Sequence, residues 1–141
     1  LHDLGIGLQE ISTLLNAVVA QRIIRTLDDN KQPRHLSATE QEKLKNTLPQ
    51  RYHDQIPETI YQANPQEETT GYHGMTAIFE VLVLNEGLKE AITDQASNHE
   101  LQRMAMEDGM TTLEVSGILK VLQGKTDIAE VERVLGVTIL S

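Results

Sequence analysis

Three times between Ser97 and Gly136, a capping residue precedes an apolar run at helical spacing and a glycine follows it. Ser97-Asn-His-Glu100 is a capping box, with Leu101, Met104 and Ala105 facing inward and Gly109 as a left-handed stop. Thr111-Thr-Leu-Glu114 opens a second helix that ends near Gly124. Thr126 caps a third, which carries Ile128, Val131, Val134 and Leu135 before Gly136. A further short helix is read around Leu88, Ala91 and Ile92. Start and stop signals this closely spaced commit the last third of the chain to short packed helices.

The same alphabet extends upstream. Leu8, Ile11, Leu15, Val18 and Val19 recur at helical spacing, so an amphipathic helix is expected over Leu8 to Gln21. The β-branched run Arg22 to Leu27 follows as a strand, and Asp28 to His35, rich in turn residues, reads as a loop. Ser37-Ala-Thr-Glu40 is another capping box, for a helix reaching about Leu48 and stopping before Pro49. Gln50 to Tyr72 reads mostly as loop, with a short apolar patch at Thr59-Ile60-Tyr61. Met75 to Leu84 is a β-branched strand entered from the Gly71 and Gly74 turn, pairing with Arg22–Leu27 or with the Ile60 patch. Aromatic residues supply only 3% of the chain, so the core must be aliphatic, which favours packed helices over a sheet sandwich. The expected fold is mainly α with a small antiparallel β element.

Charge narrows the partners. Asp and Glu outnumber Lys and Arg by 21 to 12, a net charge of −9. That surface repels phosphate backbones, and nucleic acid is not an expected partner. No segment approaches the roughly 20 apolar residues that cross a bilayer, so direct membrane insertion is not expected either. The opening Leu1-His2-Asp3 carries neither an initiator Met nor a basic region, and reads as neither a signal peptide nor a natural start. Cytoplasm is the expected location.

Catalytic and metal chemistry find little purchase. The phosphate-cradling pattern GxxxxGK[ST] does not occur, and Gly5-Ile-Gly7 is too short to replace it. Asp28-Asp29 and Glu67-Glu68 read as solvated acidic loops rather than cation sites. His2, His35, His53, His73 and His99 are scattered without metal-ligand spacing, and cysteine is absent. Met104, Met106 and Met110 read as core filling. Arg22 and Arg25 flank two isoleucines; their plainest role is as solvated or ion-paired cations.

Three segments then carry a resemblance. LNAVVAQRIIRTL (Leu15 to Leu27), TGYHGMTAIFEVL (Thr70 to Leu82) and GMTTLEVSGILKVLQGKTDIAEVERV (Gly109 to Val134) resemble, in family order, late segments of the type II secretion and type IV pilus assembly ATPases of the GspE/PilB type. The third is similar down to its Glu-Val-x-Arg-Val ending. The resemblance implies a C-terminal subdomain of a RecA-like, ring-forming, hexameric cytoplasmic ATPase whose ATP and Mg sites lie in preceding sequence. It implies no catalytic, cofactor or metal residue within this chain. Its implied partners are neighbouring ATPase subunits and inner-membrane platform proteins, which would place the chain peripherally at the inner membrane. Arg22 and Arg25 match the family and become candidates for facing the nucleotide cleft or a neighbouring subunit.

The resemblance also implies three divisions: residues 1–27 closing the ATPase core, an insertion over 28–72, and a strand with a helical bundle over 73–141. Many members carry a four-cysteine zinc site in the insertion. Asp28 and Lys31 stand where the first pair would be, Asn64 and Glu67 where the second would be, so the insertion must hold by packing alone or move. Met75 replaces an arginine usual after the Gly-Tyr turn. The alternative to a motor part is a helical protein-interaction module with no motor role.

Overall fold

The computed structural model describes residues 5–65 and 70–140. Its elements run α1 (Leu8–Leu14), β1 (Ala17–Leu27), β2 (Gln32–His35), α2 (Ala38–Thr47), a 3-10 turn (Gln50–Gln55), β3 (Thr59–Gln62), β4 (Tyr72–Val83), α3 (Glu86–Thr93), α4 (Asn98–Glu107), α5 (Leu113–Leu122) and α6 (Ile128–Leu135). Among the described residues two two-stranded sheets accompany the helices, β1 with β4 and β2 with β3. The mainly helical fold with a small β part is therefore as expected. No helix among the described residues is long and apolar enough to cross a membrane.

The chain forms two compact units, residues 1–20 with 79–112 and residues 21–78 with 113–141. In the first unit α1 packs on α3 and α3 on α4, around Leu84, Leu88 and Ala105. Asn85 caps α3 by accepting from the Leu88 amide at 2.9 Å, and Ser97 caps α4 by accepting from Glu100 at 3.2 Å. In the second unit a wholly aliphatic cluster joins Leu36, Leu44, Leu48 and Ile60 to Val115, Ile118, Val121, Val131 and Ile139. The described part of residues 28–72 is thus packed in: Leu36, Leu44, Leu48 and Ile60 are four of the nine buried side chains in this cluster.

Several local expectations need correction. The first helix stops at Leu14 rather than Gln21, because Val18, Val19 and the residues after them extend into the ladder with β4. A repeat of apolar residues at short spacing fits either element, and β-branching tips it to strand once a partner is present. The Leu84 amide donates to Asn16 O at one end and the Asp28 amide to Gly71 O at the other, which makes the pair antiparallel. Of the two partners open to β4, the β1 segment is the one it takes. Gln32–His35, expected as loop, is a strand antiparallel to β3, with Arg34 opposite Ile60. The stretch after Pro49, expected mostly as loop, holds the 3-10 turn and β3.

Caps also differ in detail. Ser37 and Glu40 form the expected reciprocal box. The helix expected from Thr111 begins two residues on, at Leu113. Asp127, not Thr126, caps α6, and Gly136 at φ +67° ends it. Met106 is 48% exposed, so it fills no core, whereas Met104 and Met110 are half-buried.

Helices α5 and α6 approach closely where Gly117 faces Val131. A methyl group on Gly117 would lie 2.6 Å from Val131 Cγ1, far inside contact distance. Gly117→Ala gains helix propensity of about 1 kcal/mol but overpacks the interface by about 1–3 kcal/mol. We expect net destabilisation in urea titrations, recovered when Val131→Ala is added; a stabilised single variant would mean that the helices separate freely.

A carboxylate cluster as candidate functional site

A cluster of charged side chains in the second unit is built on the first turn of α6. Asp127 adopts extended backbone, and its Oδ1 accepts the Glu130 amide at 2.9 Å, the usual service of an acidic N-cap. The same carboxylate accepts the Ala63 amide at 2.8 Å and the Tyr72 hydroxyl at 2.9 Å. It thereby holds the end of β3 and the start of β4 together. Gly71 shows how tight this pinch is: its φ is +82°, and a side chain there would meet the Asn64 amide nitrogen at 2.8 Å.

Glu130, one turn on, is fully buried and still charged. Its oxygens accept the Arg25 amide at 2.9 Å, Arg25 Nε and Nη2 at 2.9 and 2.6 Å, and Arg133 Nε and Nη2 at 2.8 Å each. In a capping box Glu130 would turn back to its own helix start; here its side chain reaches β1 instead. Arg25 also lies over the Tyr72 ring, 4.0 Å from its centroid. Two backbone links run alongside. Thr126 Oγ1 donates to Arg25 O at 2.8 Å, and the Leu27 amide donates to Lys125 O at 2.9 Å. The free edge of β1 from Arg25 to Leu27 is closed by the turn entering α6.

The charge balance follows from the geometry. Burial pushes the Glu130 carboxyl up, but the forks of Arg133 and Arg25 outweigh it and hold the group at about 2. Burial first, then the Asp127 carboxylate, pushes the Tyr72 hydroxyl above its ordinary range, so it remains a donor. Arg25 and Arg133 are raised, chiefly through their hydrogen bonds to Glu130. Among the described residues every buried side-chain polar atom has a partner. No nucleophile is paired with a base in this cluster. What it can do is fasten β1, β3 and β4 to α6.

The sequence-derived candidates divide accordingly. Arg25 is drawn into the cluster, with 39% of its side chain exposed. Arg22 is exposed, its Nη1 donating to Gln21 O at 2.8 Å. Positions 22 and 25 point to opposite faces of β1, so the two guanidinium groups do not converge. Asp28 forms a turn, accepting the Asn30 amide at 2.9 Å, and Asn64 Nδ2 donates to Asn30 O at 3.2 Å. The two stretches that resemblance pairs around zinc thus lie side by side, bridged by amides. Lys31 turns to Gly124 O at 2.7 Å. Glu67, the Glu67-Glu68 pair and His2 lie outside the described residues. No group of three or more His, Cys, Asp or Glu able to hold a metal occurs among the described residues. Met75 is 73% exposed.

Asp127, Glu130, Arg133 and Tyr72 escaped the residue-by-residue reading. Their signal was present in two places. Asp127-x-x-Glu130 has cap spacing, and Tyr72, Glu130 and Arg133 sit inside the segments that carry the resemblance. Those three segments, more than 100 residues apart at the extremes, meet in this cluster through Arg25, Tyr72, Glu130 and Arg133.

Comparison with known proteins agrees. The family described as "Type II/IV secretion system protein" matches residues 1–133. The chain is 36% identical over 137 residues to the type II secretion system protein E of Aeromonas hydrophila, covering 95% of this chain and 26% of that protein. It is 32% identical over 135 residues to the type II secretion system protein E of Xanthomonas campestris, covering 95% and 24%. It is 32% identical over 140 residues to the type IV pilus assembly ATPase TfpB of Acinetobacter baylyi, covering 98% and 23%. The chain spans about a quarter of the length of the curated relatives it matches.

The linkage between Glu130 and stability has a definite sign. Its folded pKa lies below its ordinary 4.5, so its contribution is full above that value and is lost as pH falls toward 2. We expect about 3 kcal/mol of unfolding free energy to disappear between pH ~5 and ~2 from this group. Glu130→Gln should cost about 2–4 kcal/mol at pH 7 and flatten the acid limb of urea-midpoint profiles. An unchanged acid limb would mean that Glu130 is not held by the two arginines.

Proposed function

Because the chain belongs to the type II/IV secretion system protein family, we propose that it is the C-terminal, non-catalytic part of a hexameric cytoplasmic ATPase that powers type II secretion or type IV pilus assembly. The observation that carries this reading is the match over residues 1–133 combined with coverage of only about a quarter of each relative. The sequence lacks the GxxxxGK[ST] pattern, which agrees with ATP and Mg binding in another part of the polypeptide.

The exposed apolar strand residues support the same view. In the first unit Val19, Phe79, Val81 and Val83 are 58, 44, 42 and 64% exposed; in the second, Ile23 and Met75 are 49 and 73% exposed. Contiguous apolar side chains left exposed on a sheet face mark a surface that another element covers. On this reading more of the same polypeptide, or a neighbouring subunit, covers them. Platform proteins at the inner membrane receive the motion. Exposure of Arg22 supports its meeting a nucleotide or a neighbouring subunit, while Arg25 holds Glu130.

Two measurements test this. A fluorescent ATP analogue titrated into the 141-residue chain should show no binding, and tight binding would contradict the reading. In the longer polypeptide, Arg22→Ala should leave the urea midpoint of the chain within about 0.5 kcal/mol of wild type while lowering ATP hydrolysis at least about tenfold. Unchanged hydrolysis would remove Arg22 from any role at the cleft or subunit boundary.

A further inference from the structure

The first unit holds a groove that the motor reading does not use. The even-numbered face of β1 and β4 lies under α4, and between them Val18, Leu82, Leu101, Ala105 and Met110 line a cavity of about 290 Å³ with Glu80 at its wall. Leu101 and Ala105 stand four apart on α4, on the stripe that faces the strands. Val18 remains 47% exposed, so the groove is not filled by the chain itself. Its size lies at the lower end of sites that enclose a small molecule, about 300–1,000 Å³, and suits one or two aliphatic side chains inserted from outside.

Charge says what kind of molecule brings those side chains. The first unit carries nine Asp or Glu against only Lys89 and Arg103, a net charge of −7, whereas the second unit carries −2. Most of the chain's net charge is therefore carried by the unit that holds the groove. An acidic partner is repelled from it and a basic one is drawn to it. We infer that the groove docks a basic amphipathic helix of another protein, with Leu-like side chains inserted between Leu82 and Leu101 and Lys or Arg facing the acidic unit. This mode of recognition reads anchors at i, i+3, i+4 and i+7. It does not depend on the motor reading, since the groove and its charge lie within this chain.

The test uses a synthetic helical peptide of about 14 residues, roughly four turns, with leucines along one face and lysines elsewhere, and a twin carrying glutamates in place of lysines. Methyl spectra of the labelled chain should shift at Val18, Leu82, Leu101 and Met110 with the lysine peptide and not with its twin. Affinity should fall at least about tenfold between ~50 and ~500 mM salt, as screening shortens the reach of the charges. Leu101→Ala should weaken binding about tenfold or more. Glu80→Gln, which preserves shape, provides a second variant and should weaken it two- to fivefold, an order-of-magnitude expectation for one rim charge. Equal binding of the glutamate twin, or shifts confined to other surfaces, would overturn the inference. So would groove shifts produced by concentrating the chain alone, which would make a second copy the occupant.

Discussion

A fully buried carboxylate held by five donors is the constraint around which the second unit is arranged. Glu130 cannot be exchanged for water contact, so the Arg25 backbone, the Arg25 guanidinium and the Arg133 guanidinium must all stay in place. Breaking such a pair leaves a charge in a dry site, which costs far more than the pair contributes over an apolar substitute. Asp127 extends the same logic one turn earlier, holding Ala63 and Tyr72 while capping its own helix. Between them the two acids bind three strands to one helix that is only eight residues long.

This arrangement shows what holds the described part of residues 28–72 in a chain without cysteine. Leu36, Leu44, Leu48 and Ile60 are buried with residues of α5 and α6, and Asn30–Asn64 and Ala63–Asp127 hydrogen bonds tie down the chain on either side. Aliphatic burial supplies the bulk of the stabilisation, and the carboxylates fix the register of strands against helix. Arg25 is thereby engaged internally, whereas Arg22 is exposed.

The helical half of the fold was legible because caps and glycines are local signals. Ser37–Glu40, Ser97 and Gly136 behave as their spacing demands. Where a signal depended on a distant partner, local reading failed. Val18 and Val19 fit a helix until β4 supplies a ladder, and Gln32–His35 becomes a strand only because Ile60 lies opposite Arg34. Thr126 has the composition of a cap but spends its hydroxyl on Arg25, leaving the task to Asp127. The Arg25–Glu130 pair spans 105 positions, and no periodicity connects residues so far apart. The resemblance named the segments in which these residues sit without saying that they touch.

A double-mutant cycle shows whether Arg25 and Glu130 are energetically one unit. Unfolding free energies of wild type, Arg25→Ala, Glu130→Ala and the double variant would be compared at pH 7. A coupling energy of about 2 kcal/mol or more is expected, with the double variant little worse than Glu130→Ala. Additive effects within about 0.5 kcal/mol would contradict it, because the two residues would then contribute independently.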